Sequence, residues 1–221
     1  MTPPAHTRTR PSARRRLILA AVVLCAVSLG TAVHQSAAGA GAGALGPGDP
    51  GTDAGSPGPA TMNAATADGA VTEADGLLPG GVTASDGAFA GIAHLDPALL
   101  EALRQASVDA TRQGVVIHVN SGWRSTEYQD QLLQQAVAQY GSEAEAARWV
   151  ATAATSAHVA GEAIDIGSFD AVAWLSTHGA GYGLCQTYEN ESWHFELRTD
   201  AVSRGCPAPY ADPTADPRMQ G

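Results

Sequence analysis

Two short stretches hold the residue types that could do metal chemistry. In "SAHVAGEAIDIG", residues 156–167, His158 and Asp165 stand seven apart with Gly161 between them. A glycine there permits a tight reversal, and the reversal would bring an imidazole and a carboxylate together at the start of a strand. Among its apolar neighbours Asp165 would be costly to bury unless something neutralises its charge. In "ENESWHFEL", residues 189–197, His194 follows Trp193 on an alternating run, and Glu191 comes three residues before the histidine. Two imidazoles and one carboxylate with a vacant fourth position suit a catalytic zinc, and the remaining carboxylate could act as base toward a water that the metal activates. His94, His118 and His178 have no such company and read as core, surface or helix-end histidines. Glu196 lies on the same strand face as His194 and reads as a solvated strand acid; Trp193 reads as pocket wall or core.

The elements that must position these residues follow from local pattern. Asp96 before Pro97 is an N-cap followed by proline at the first helical position. Leu99, Leu100, Leu103, Ala106 and Ala110 then recur at helical spacing until Gly114 stops the helix. "VVIHV" (115–119) reads as a strand, "TEYQDQLLQQAVAQYG" as a helix ending at Gly141, and "SEAEAARWVATAA" as a helix opened by a capping box of Ser142 and Glu145. "AIDIG" reads as a strand, "FDAVAWLSTHG" as a helix and "WHFELR" as a final strand. Helices and short strands mix without a strict βαβ rhythm, which predicts an α+β domain.

Outside that domain the texture changes. Five of the twelve basic residues, all arginine, fall in residues 1–16 ahead of an uncharged run, "LILAAVVLCAVSLGTAV" (17–33). The run serves either as a membrane anchor or as the core of a signal peptide cleaved near Ala38 or Ala40, and both predict an extracytoplasmic domain. Residues 34–87, rich in Ala, Gly, Pro, Ser, Thr and Asp, are expected to form a disordered spacer. The compact domain is expected over 88–210 and a disordered tail over 211–221. Cys185 and Cys206 are the only cysteines beyond the apolar run; export predicts a disulfide between them, with two free thiols as the alternative. Beyond residue 40 seven arginines face 22 acids, a net of −15, which opposes nucleic-acid binding.

"SAHVAGEAIDIG" resembles the S-x-H-x-x-G-x-A-x-D motif of the VanY-like zinc D-Ala-D-Ala carboxypeptidases. Their relatives are the VanX-type dipeptidases, phage peptidoglycan endopeptidases and the hedgehog signalling domain. "ESWHFEL" matches the family's E-x-W-H segment, and "SGWRSTEYQ" (121–129) its upstream S-G-[YW]-R-S-x-x-x-Q. The resemblance implies one hedgehog-like domain with a small antiparallel sheet flanked by helices, and one zinc ion held by His158, Asp165 and His194. It implies Glu191 as catalytic base and Arg124 as the group that polarises the scissile carbonyl. Ser156 and Gln129 would touch substrate, although a capping serine or a helix-surface glutamine would look the same. The expected substrate is a peptidoglycan stem peptide ending in D-Ala-D-Ala, met by a monomer. Dipeptidase or endopeptidase action, or a silent wall-binding module, are the alternatives.

Overall fold

A computed structural model describes residues 70–220. Residues 17–33 and most of the expected spacer lie outside these. Among the described residues no helix is long and apolar enough to cross a membrane.

The chain runs α1 (Ala90–Ala93), α2 (Pro97–Arg112), β1 (Val119–Ser121), α3 (Thr126–Tyr140), α4 (Glu143–Ala146), α5 (Ala157–Ala160), β2 (Ala163–Ile166), α6 (Phe169–His178), β3 (Leu184–Gln186), β4 (His194–Leu197) and α7 (Ala201–Arg204). Single 3-10 turns lie at Glu73–Asp75, Gly179–Tyr182, Pro213–Ala215 and Pro217–Met219. The strands form one antiparallel sheet in the order β1-β2-β4-β3. The α+β expectation, with a small antiparallel sheet among helices, is met.

Alternation along the strands sorts the sheet into two faces. Ile164, Ile166, Phe195 and Leu184 point to one side, where they pack with Leu99, Leu103, Ala106, Trp174 and Leu175 of α2 and α6. Asp165, His194 and Glu196 point to the other, and all three are buried as well. The register sets Ser121 opposite Asp165, Asp165 opposite His194, and Cys185 opposite Glu196. A row of polar groups therefore crosses the sheet on the face away from the main core.

Local signals account for most helix ends. The Asp96 carboxylate accepts from Ala98 N and Leu99 N, and Ser125 caps α3, which ends at Gly141 with φ 81°. Two elements differ from expectation. The strand is paired at 119–121 rather than 115–119, because Val115 N closes the end of α2 by donating to Ala110 O. The helix opened by Ser142 is regular only to Ala146, since tertiary bonds take over: Asn190 Nδ2 donates to Arg148 O, and Gln129 Nε2 to Ala151 O.

Both expected domain boundaries need correction. Within the expected spacer, Val71, Val82 and Ala84 are buried, Val119 N donates to Val82 O at 2.8 Å, and Ser125 N donates to Asp75 O at 2.8 Å. A few apolar groups suffice there because Thr72–Asp75 and Thr83–Asp86 side-chain bonds close the turns. Within the expected tail, Asp216 is fully buried and Arg218 binds Glu196. Cys185 and Cys206 form a disulfide with Cα atoms 5.5 Å apart.

Candidate metal centre

Three elements deliver the site. β2 and β4 carry Asp165 and His194 at directly opposed positions. α5, a single turn, carries His158. Ser156 caps that turn by accepting from Val159 N, and Gly161 ends it at φ +77°. A Cβ on Gly161 would lie 2.5 Å from His94 O, so backbone conformation and close approach both require glycine.

His158, Asp165 and His194 each offer a ligand atom within 4.8 Å of the others, the one such group of three or more among the described residues. His158 Nδ1 donates to Gly122 O at 2.8 Å, which leaves Nε2 facing inward. His194 Nε2 donates to Glu196 Oε1 at 3.2 Å, which leaves Nδ1 facing inward. The two inward nitrogens are 3.3 Å apart. Asp165 Oδ1 lies 3.4 Å and 3.3 Å from them, and it is buried without a hydrogen bond. Two nitrogen lone pairs and an orphaned carboxylate oxygen that converge in a buried space fit a divalent cation, zinc above all. Each histidine is oriented by an oxygen acceptor on its other nitrogen, as metal-bound imidazoles are.

The electrostatics agree with a cation-seeking cluster. Burial would raise Asp165, but His158, His194 and Arg124 outweigh it and hold the carboxyl well below its ordinary range. Burial, then Arg124, lowers His158. Burial also acts to lower His194, yet bonds to Asp165 and Glu196 and the charge of Glu191 lift it to about 10.

Glu191 stands beside the cluster and outside it, with Oε2 3.8 Å from His194 Nδ1. Its Oε1 is buried without a partner, and burial pushes its carboxyl up to about 7. Arg124 donates through Nη2 to Asp165 Oδ2 at 2.7 Å, through Nε to Ser121 Oγ at 2.7 Å and through Nη1 to Gln129 Oε1 at 3.1 Å. Gln129 is no surface residue. It is 1% exposed, and with both ends bonded, to Arg124 and to Ala151 O, it is placed to hold the guanidinium. These side chains, with Tyr128, Trp149, Ser156, Tyr188 and Trp193, line one cleft.

His94 and His178 have other partners. His94 meets Trp123 edge-on at 4.4 Å, and His178 Nδ1 bonds Trp174 O at the end of α6. Sequence reading missed Glu196. Far from being a solvated acid, it is 2% exposed and joins His194 to Arg218 and Arg198. Its place on the His194 face was visible, but its cationic partner is 22 residues away in sequence.

Residues 92–199 match a family model described as VanY, D-alanyl-D-alanine carboxypeptidase. A D-alanyl-D-alanine carboxypeptidase of Enterococcus faecalis (strain ATCC 700802 / V583) is 32% identical over 113 residues, 39% of this chain and 42% of that protein. The match thus spans less than half of that relative's length. Among solved structures, the VanY D,D-pentapeptidase of a VanB-type vancomycin resistance cassette, in complex with Zn(II), is 26% identical. It covers 50% of this chain and 76% of its own, with a TM-score of 0.47. VanYB in complex with D-alanine-D-alanine is 27% identical over 50% and 75%, again with a TM-score of 0.47. Over residues 92–199, the chain is thus similar to the VanY-like peptidase family.

Proposed function

We propose that this domain is a zinc-dependent D-alanyl-D-alanine carboxypeptidase that removes the terminal D-Ala from peptidoglycan stem peptides. The observation that carries the reading is the meeting of three buried donors with a separate carboxylate, Glu191, in one cleft. When bound, zinc supplies Lewis acidity and makes water acidic enough to lose a proton near neutral pH. Glu191 accepts that proton, and a carboxyl raised to about 7 is suited to the task. The same group, once protonated, delivers its proton to the leaving amine.

Arg124 stabilises the oxyanion. Three of the five N–H groups of its guanidinium are engaged, which leaves two for substrate. Because Ser121, Gln129 and Asp165 hold it before substrate arrives, its charge is preorganised. The oxygen of Ser156 is committed to capping α5, so its contribution to substrate is the O–H, as donor to a peptide carbonyl. An extracytoplasmic location, where wall peptides lie, is supported by the arginine-led apolar run at 17–33 and by the disulfide.

Incubating the whole chain with a stem pentapeptide ending in D-Ala-D-Ala, with zinc or with chelator, tests the reading by mass. The expected product lacks one alanine and forms only with metal. Hydrolysis confined to free D-Ala-D-Ala, or to cross-linked peptides, would replace the carboxypeptidase by a dipeptidase or an endopeptidase. An untouched set of substrates would leave a wall-binding module.

A further inference from the structure

We propose that residues 212–220 form a strap that sets the affinity of the metal centre, with Arg218 acting on Glu196 and Glu196 on His194. The inference rests on the cation reading above, and it concerns residues beyond position 199, where the family match ends. His194 turns one nitrogen to the cluster and the other to Glu196 Oε1, 3.2 Å away. Arg218 grips that carboxylate with both terminal nitrogens, Nη1 to Oε2 at 2.7 Å and Nη2 to Oε1 at 3.1 Å. Arg198 Nη2 adds a 3.0 Å contact to Oε2.

The strap fixes Arg218 in turn. Asp216, fully buried, accepts from Arg218 Nε and from Arg218 N, and also from Tyr188 Oη at 3.2 Å. Farther back, Asp212 is tied to Arg148 Nε at 2.9 Å. A two-pronged grip holds a carboxylate in one plane, which a single contact from Arg198 does not. The imidazole of His194 then has one acceptor in one direction, which sets its tautomer and its basicity toward a cation. Without Arg218, Glu196 keeps its burial but loses the fork, and His194 loses its fixed acceptor. Arg218 is thus a positioning residue.

The test measures zinc affinity by competition with a chromophoric chelator, together with the visible spectrum of the cobalt-substituted protein, on the whole chain. Arg218→Met and Glu196→Gln should each weaken zinc by roughly 10–100-fold and alter the cobalt spectrum. The double variant should be no more than about threefold weaker than the poorer single, because both act along one relay. A strap that only stabilised the fold would lower the melting temperature of the metal-free protein and leave affinity and spectrum alone. Unchanged zinc affinity in a folded Arg218→Met protein, or additive losses in the double, would overturn the proposal. If Arg218→Met does not fold, Arg218→Lys decides: it keeps charge without the fork. It should weaken zinc by about tenfold, and an unchanged affinity would overturn the relay. A wild-type chain that binds no zinc would overturn the cation reading and this inference with it, whereas tight wild-type binding with an indifferent Arg218 would sink this inference alone.

Discussion

At the scale of residues, the site gathers three buried donors that could hold a cation. Removing one donor should therefore empty it. His158→Ala and His194→Ala are expected to lose bound zinc by metal analysis, while His178→Ala, whose ring bonds the Trp174 carbonyl, should keep it. Equal zinc in all three would contradict the ligand set. Glu191 adds a pH signature to the metal-free chain. Its carboxyl is raised from 4.5 to about 7, so its contribution to stability is full below 4.5 and is lost as pH rises through 7. Glu191→Gln removes that loss. In chelator, the variant's melting temperature relative to wild type should therefore rise between pH 5 and pH 8, and a constant gap would contradict the burial of a free carboxyl.

At the scale of elements, the positions that carry chemistry were legible because their signals are local. Gly161 announces a reversal by its lack of a side chain, Asp96 announces α2 by its cap, and His194 and Glu196 share a face by the period of a strand. What was not legible depends on partners distant in the chain. Whether 115–119 or 119–121 pairs with β2 is decided by how α2 closes. The length of the helix after Ser142 is decided by Asn190 and Gln129, which capture carbonyls at 148 and 151. Gln129 itself looked like any helix-surface amide until the fold buried it. Gly161→Ala tests the local part: with φ +77° and a Cβ 2.5 Å from His94 O, the substitution is strained twice. It should cost at least about 1–3 kcal/mol by thermal unfolding and weaken zinc by displacing α5. A variant with wild-type stability and affinity would mean that α5 tolerates the shift.

At the scale of the whole molecule, the domain is larger than its texture suggests. Segments on both sides of the apolar-rich region, 70–87 and 211–220, pack onto it with few hydrophobic side chains. Val71, Val82 and Ala84 do this at one end and Asp216 with Arg218 at the other. Composition alone reads such stretches as spacer, because a handful of well-placed contacts is invisible in an average. Of two chains trimmed to begin at residue 70 and at residue 88, the second should melt lower, having lost Val82 and the Asp75 bonds to Ser125. Equal melting temperatures would restore the longer spacer. The central claim is that a metal held by His158, Asp165 and His194 works with Glu191 as a separate base. One preparation of Glu191→Gln measures it, assayed together for zinc content and for D-alanine released from the pentapeptide. The account predicts full zinc with release slowed by about 10²–10⁴-fold; full zinc with near-normal release would contradict it.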